Sequence, residues 1–290
     1  MDRIHQPSYF SVEGFAKLTR LPNLLIIAFT QYMTALFLVA GAGERMRYIK
    51  DLDLFLLVIM TVMITAAGYI INDYYDVKID YINRPKRVVV GKMLRRRVVM
   101  LSHMALNFAG ISLGFYLDIK VGILATLCAV WLWLYSNALK RQPFIGNFSI
   151  ALLTGAALCV IALYYNKNAS LVYMYALFAF SISLIREIIK DLEDLKGDAD
   201  FGSRTIPILL GVKRTKIFIF ILSLVSLISI SLISYFLQNP IFKIYFLLLM
   251  LPVTYFLYRL LQADTRKEFS YLNNFCKLIM LSGVLSMVFF

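Results

Sequence analysis

The chain is poor in charge, and poorest in negative charge: 16% of its 290 residues are charged, with 17 acidic residues against 30 lysines and arginines. Polar stretches long enough to coat a soluble domain are missing. With 60% hydrophobic residues and a mean hydropathy of +0.74, the sequence is too apolar for one soluble core. Histidine and cysteine are scarce as well. His5 and His103 are the two histidines, and Cys128, Cys159 and Cys276 the three cysteines, with no CxxC pair or metal-ligand spacing among them. The cysteines lie inside apolar segments and read as small buried hydrophobes.

What is present is a series of nine apolar segments, each near the 20 or so residues that cross a bilayer: 24–40, 54–71, 98–117, 119–139, 148–165, 170–189, 217–236, 243–261 and 271–290. None alternates apolar and polar residues as a membrane β-strand does, so the expected fold is an all-α polytopic membrane bundle of nine helices. The whole chain, 1–290, reads as one integral membrane domain, with 1–23 an interfacial N-terminal segment whose Phe10, Val12, Phe15 and Leu18 alternate with polar residues. Gly41-Ala42-Gly43 faintly resembles a signal-peptidase site, but the polar residues ahead of the first segment make it a retained helix. Pro22 suits a helix start, and Pro252 is expected to kink the eighth segment. The short turn around Asp118 makes the third and fourth segments antiparallel neighbours.

A net charge of +13 raises the question of a nucleic-acid partner, and the location of the bases answers it. Across nine crossings, 23 lysines and arginines fall on the side of the N-terminus and six on the other. This positive-inside bias places the N-terminus in the cytoplasm and accounts for the basicity without nucleic acid.

The scarce acids are concentrated. Nine of the 17 lie within 72–80 and 187–200. Asp73, Asp76 and Asp80 stand at i, i+3 and i+7, sharing one helical face. Asp191, Asp194 and Asp198 repeat the spacing 118 residues later, after an even number of segments, so both motifs reach the cytoplasmic side. This fits two parallel four-helix repeats plus one helix. Hard divalent cations answer such carboxylate rows, since Mg²⁺ is held by one or two carboxylates together with substrate phosphates. One ion per motif would clamp a diphosphate, with Arg84, Arg87, Lys92 and Lys140 neutralising the remaining charge. The competing readings are salt-bridged helix ends and a cation-coupled transporter. A transporter would carry its carboxylates near the midplane of broken helices rather than at helix ends.

Asn72-Asp73-Tyr74-Tyr75-Asp76 through Asp80 matches an NDxxDxxxD signature, and Asp191 to Asp198 looks like a second aspartate-rich motif. With Arg20 to Asn23, Arg84, Arg87, Tyr135-Ser136, Lys140, Gly146-Asn147 and Lys190, the chain resembles the UbiA-like intramembrane prenyltransferase superfamily over essentially its whole length. The resemblance implies transfer of a prenyl group from an allylic diphosphate to an acceptor in the membrane, dependent on Mg²⁺, with two ions expected. Asn72, Asp73, Asp76 and Asp80 would serve one metal, and Asp191, Asp194 and Asp198 the other. Arg20, Asn23, Arg84, Arg87, Lys92, Ser136, Lys140 and Lys190 would contact the diphosphate. Tyr135 would stabilise the allylic cation through its π face, and a cytoplasmic-side cap after Gly197 would exclude water. Asn83-Arg84-Pro85 and the Arg186 to Asp194 segment look most like the geranylgeranylglycerol-phosphate geranylgeranyltransferase group. Where that group reads Arg-Pro-Ile-Pro-Ser-Gly, this chain has Arg87-Val88-Val89-Val90-Gly91, which keeps an aromatic quinone precursor open as acceptor.

Overall fold

The computed structural model describes residues 11–41, 43–83, 88–200, 202–237 and 240–290. Among these, extended pairing is confined to one isolated contact of Val90 with Leu94. The helices in chain order are α1 (Val12–Leu18), α2 (Leu21–Met33), α3 (Arg45–Ile49), α4 (Leu52–Asn83), α5 (Arg96–Leu117), α6 (Ile119–Asn137), α7 (Ile145–Tyr165), α8 (Ala169–Asp200), α9 (Ile206–Leu237), α10 (Pro240–Gln262) and α11 (Arg266–Ser286). A π-helical stretch, Thr34–Val39, extends α2. Nine segments among the described residues are long and apolar enough to cross a membrane, matching the expected nine. Large apolar side chains such as Leu101, Phe108, Tyr116, Leu247 and Leu251 lie on the outer surface, where a bilayer suits them and water does not. The protein is an integral, multi-pass membrane protein.

Two helices are longer than a bilayer core is thick. α4 and α8 have 32 residues each, about 48 Å at 1.5 Å per residue against a hydrocarbon core of about 30 Å. Their last turns carry the two acidic motifs. Gly197, after which the sequence suggests a covering segment, lies inside α8, which runs to Asp200. Likewise α7 opens at Ile145, so Gly146 and Asn147 belong to its first turn rather than preceding it. α10 continues through Pro252, while the backbone break falls in α9 at Gly211, whose φ of 78° is a conformation that glycine alone adopts without strain.

The chain divides into two compact units. The first comprises Met1–Tyr32 and Ile49–Leu139, with α1, most of α2, and α4 to α6. α5 and α6 are joined through Asp118, which caps α6 by accepting from the Lys120 N–H at 2.7 Å. The antiparallel pair is close because Gly114 and Gly122 meet: a Cβ on Gly122 would sit 2.4 Å from the Phe115 ring. His103 contacts the Ala67 carbonyl at 3.0 Å, a packed and satisfied side chain rather than a ligand. Leu18, Ile70, Val89, Val90, Leu94 and Val99 form a core beneath the end of α4.

The second unit comprises Met33–Tyr48 and Lys140–Phe290. In lipid, helices associate through close packing and interhelical hydrogen bonds rather than water exclusion, and α7 and α8 have both. Asn147 bonds Asp191, Thr154 bonds Ser183 at 3.2 Å, and Gly155 lets the Ala176 carbonyl approach, a Cβ there meeting it at 3.3 Å. α11 starts with a capping box, Thr265 and Glu268 exchanging side-chain and backbone bonds. Ile185, Ile188, Leu192, Ile219, Leu260 and Cys276 are among the buried residues of the core of this unit.

Candidate active site

The first acidic face occupies the last turns of α4. A helix continues here because no glycine or proline interrupts 69–84 and the neighbouring residues propagate it. Asn72, Asp73, Asp76 and Asp80 are all helical and half-buried, as the spacing required. Arg20, in the turn between α1 and α2, donates from Nη2 to Asp73 Oδ1 at 2.8 Å and lies 4.8 Å over the Tyr69 ring. Its backbone sits at φ 52°, a left-handed position that a non-glycine residue adopts only where the surroundings hold it. Burial alone would lower the Arg20 pKa, but the charge of Asp73, with smaller help from Tyr69 and Asp80, leaves it raised. The guanidinium is a permanent cation beside the motif.

Other bases approach the same helix through aromatic rings. Arg96 lies 5.0 Å over Tyr74 and Lys92 lies 4.7 Å over Tyr81. Asn23 is exposed in the first turn of α2, its N–H donating to the Arg20 carbonyl at 2.8 Å. Tyr135 is half-buried in the last turn of α6, while Ser136 is buried and donates its hydroxyl proton to the Leu132 carbonyl at 2.9 Å. Ser136 therefore has lone pairs to offer, its proton being used within its own helix. Arg84 and Arg87 lie outside the described residues. Val88, Val89 and Val90 are buried, and Val89 and Val90, two of the three valines found where the resembled group has prolines and a serine, pack into the core below α4.

The second acidic face lies on α8, within the second unit. Asp191 accepts a hydrogen bond at Oδ2 from Asn147 Nδ2 at 2.8 Å. Asp194 has Arg266 Nη2 at 3.7 Å from Oδ1. Glu187, one turn before Asp191, is buried and paired with Arg186 and with Lys190, whose Nζ is 3.4 Å from Oε2. Glu193 points away from that face and accepts from Asn273 of α11 at 3.0 Å. Asp198 is half-buried, its carbonyl accepting from the Ser203 N–H. Lys140 is half-buried in a 3-10 turn, next to Arg141, whose carbonyl accepts from the Arg204 N–H at 3.2 Å.

Among the described residues no three His, Cys, Asp or Glu side chains converge into a metal cage. Each face offers carboxylate oxygens in a row along a helix, joined on α4 by the Asn72 amide. That donor set fits Mg²⁺, a hard cation that takes oxygen ligands and completes its shell with water and substrate phosphates.

The sequence pattern of the UbiA prenyltransferase family matches residues 28–279. The chain belongs to the UbiA prenyltransferase family. It is 31% identical over 280 residues to the digeranylgeranylglyceryl phosphate synthase of Saccharolobus solfataricus, covering 95% of this chain and 96% of that one. A solved structure of a digeranylgeranylglyceryl phosphate synthase superposes with a TM-score of 0.77 at 25% identity, covering 96% of this chain and 97% of the other. A UbiA homologue of Archaeoglobus fulgidus bound to GPP and Mg²⁺ shares the fold, with a TM-score of 0.70 at 14% identity, covering 96% of this chain and all of the other.

Within this UbiA prenyltransferase, sequence reasoning placed the acidic residues on helix ends but did not find their partners. Arg20 was assigned to the diphosphate, and its contact with Asp73 spans 53 residues, beyond any local pattern. Asn147 was noticed beside Gly146 without a role, and its link to Asp191 needs the α7–α8 pairing to be known. Arg266 and Asn273 carried no signal of their own.

Proposed function

We propose that this UbiA prenyltransferase transfers a geranylgeranyl group from its diphosphate to the free hydroxyl of geranylgeranylglycerol phosphate, with a Mg²⁺ ion at each acidic face. The observation that carries the reading is the presence of a carboxylate row with adjoining bases at the protruding ends of both α4 and α8. The relationship to digeranylgeranylglyceryl phosphate synthases supports the acceptor, and the shared spacing of the two motifs supports their joint action on one diphosphate. In the reaction the acceptor oxygen bonds to C1 of the prenyl chain, the C1–O bond to diphosphate breaks, and the hydroxyl proton is lost.

Mg²⁺ bound at the acidic faces would supply charge neutralisation for a departing diphosphate, which lowers the barrier to its loss. Asn72, Asp73, Asp76 and Asp80 hold one ion, and Asp191, Asp194 and Asp198 the other. Arg20, Asn23, Arg84, Arg87, Lys92, Ser136, Lys140 and Lys190 bind and orient the diphosphate oxygens, arginine as a fork and lysine as a point charge. Tyr135 presents a π face to positive charge developing at C1. The charge asymmetry of the loops supports a cytoplasmic side for these residues.

The test is incubation of purified protein with labelled geranylgeranyl diphosphate, Mg²⁺ and a panel of acceptors. Ether product with geranylgeranylglycerol phosphate alone is expected. Product with an aromatic quinone precursor instead would replace the acceptor, and no consumption of any allylic diphosphate together with ion flux in proteoliposomes would replace the reading by transport.

A further inference from the structure

Asp191 differs from Glu187 and Asp194, its neighbours on the same face of α8, in the kind of partner that holds it. Glu187 is paired with Arg186 and Lys190, and Asp194 faces Arg266, all cations. Across the chain Asp73 is likewise held by a guanidinium, that of Arg20. Asp191 is held by a carboxamide, Nδ2 of Asn147, at 2.8 Å. The distinction matters chemically. A bound cation competes with a metal for the carboxylate's charge, whereas an amide N–H fixes the orientation of one oxygen and leaves the charge of the group intact.

The surrounding seam shows how firmly that orientation is set. Asn147, Thr154 and Gly155 lie seven and eight residues apart on α7, so they share one face. They meet Asp191, Ser183 and Ala176 respectively on antiparallel α8, the latter two lying eight and fifteen residues before Asp191. The two hydrogen-bonded rungs, Asn147–Asp191 and Thr154–Ser183, lie about 10 Å apart along the axis and, with the close approach at Gly155, fix the rotation of α8 about itself. Asn147 is buried, so its amide cannot exchange readily to water. On the other side of α8 a second amide, Asn273, holds Glu193, which lies off the acidic face. The helix is therefore gripped by two asparagines, one of which touches a metal-facing carboxylate and one of which does not.

We propose that Asn147 is a positioning residue for the second acidic face: by holding Oδ2 of Asp191 with a neutral donor, it presets the orientation of the carboxylate for a divalent cation. The inference rests on the assignment of Asp191 as a metal ligand given above. It also explains why an asparagine, otherwise a poor choice in the first turn of an apolar helix, stands there.

The experiment uses Mn²⁺ as a spectroscopic substitute for Mg²⁺, its binding to full-length, metal-free protein in detergent being read by the loss of the free-ion EPR signal. Asn147→Ala and Asn147→Ser are compared with wild type and with Asn273→Ala, each being checked for wild-type elution and helical content. Loss of an orienting outer partner characteristically costs 10- to 100-fold in metal affinity, so Asn147→Ala is expected to weaken Mn²⁺ binding at one class of site by about that factor. Asn147→Ser, which keeps a shorter donor, should fall between Asn147→Ala and wild type, and Asn273→Ala should bind Mn²⁺ as wild type does. Unchanged Mn²⁺ affinity in folded Asn147→Ala overturns the proposal, as does equal weakening in Asn273→Ala, which would mark both asparagines as structural clamps. Absence of Mn²⁺ binding in the wild type, with or without prenyl diphosphate, would instead remove the metal assignment itself.

Discussion

Lys216 offers a prediction whose size follows from its surroundings. On α9, its ammonium donates to the Leu261 carbonyl at 3.0 Å, the Ala263 carbonyl at 2.9 Å and Asp264 Oδ1 at 2.9 Å. All three N–H donors are thereby used, and they cap the last turn of α10, whose final carbonyls have no partner within the helix. Lys216→Met keeps the length and removes the charge. The Asp264 side chain is 78% exposed and can return to water, so its loss counts for at most about 1 kcal/mol. The two carbonyls cannot resolvate so easily, because the Lys216 side chain that covers them is only 10% exposed. Hydrogen bonds to a charged group contribute about 1.5–3 kcal/mol each, and the lysine's own desolvation penalty is recovered on substitution. The net expectation is a loss of about 2–4 kcal/mol. Unfolding in mixed dodecyl sulfate micelles, followed by circular dichroism, measures it. A change below about 0.5 kcal/mol, the range of ordinary surface substitutions, would refute the argument that these carbonyls depend on Lys216.

Two further substitutions separate packing from chemistry. Gly122→Ala puts a Cβ 2.4 Å from the Phe115 ring and 2.9 Å from the Phe115 Cα, and because backbone cannot swing aside it should destabilise by about 1–3 kcal/mol in the same micelle assay. Arg20→Ala should leave stability within about 1 kcal/mol, as its ion pair with Asp73 is part-exposed, yet raise the KM for prenyl diphosphate by about tenfold or more, the worth of a charge-assisted contact. A large stability loss with unchanged KM would reassign Arg20 to structure.

The parts of the fold that were legible in the sequence are those written as local pattern. The nine apolar stretches correspond to nine helices among the described residues that are long and apolar enough to cross a membrane, and the i, i+3, i+7 spacing of the aspartates puts each acidic set on one helical face. Ends of helices were less legible. α8 runs one turn past Gly197, to Asp200, beyond the point where its Leu192 is buried in the core and Asp191 and Glu193 are held from either side. The three valines at 88–90 depart from the resembled pattern beside a charged segment, and only their burial, with Val89 and Val90 in one core cluster with Leu18 and Ile70, shows them as core. Partners of the acids were not legible at all. Arg20 to Asp73 and Asn147 to Asp191 are contacts between helices distant in sequence, and no single-chain periodicity encodes which basic or amide side chain faces which carboxylate.

The central claim is that two acidic faces serve one metal-dependent transfer. Its most direct test is release of diphosphate from geranylgeranyl diphosphate, with acceptor present, by wild type and by Asp76→Ala and Asp194→Ala. Wild-type release should vanish on chelation and return with Mg²⁺, and each variant should be slowed by at least about 100-fold, the scale of losing an electrostatic contact to the departing group. Metal-independent release, or near-normal rates in either folded variant, would contradict the account.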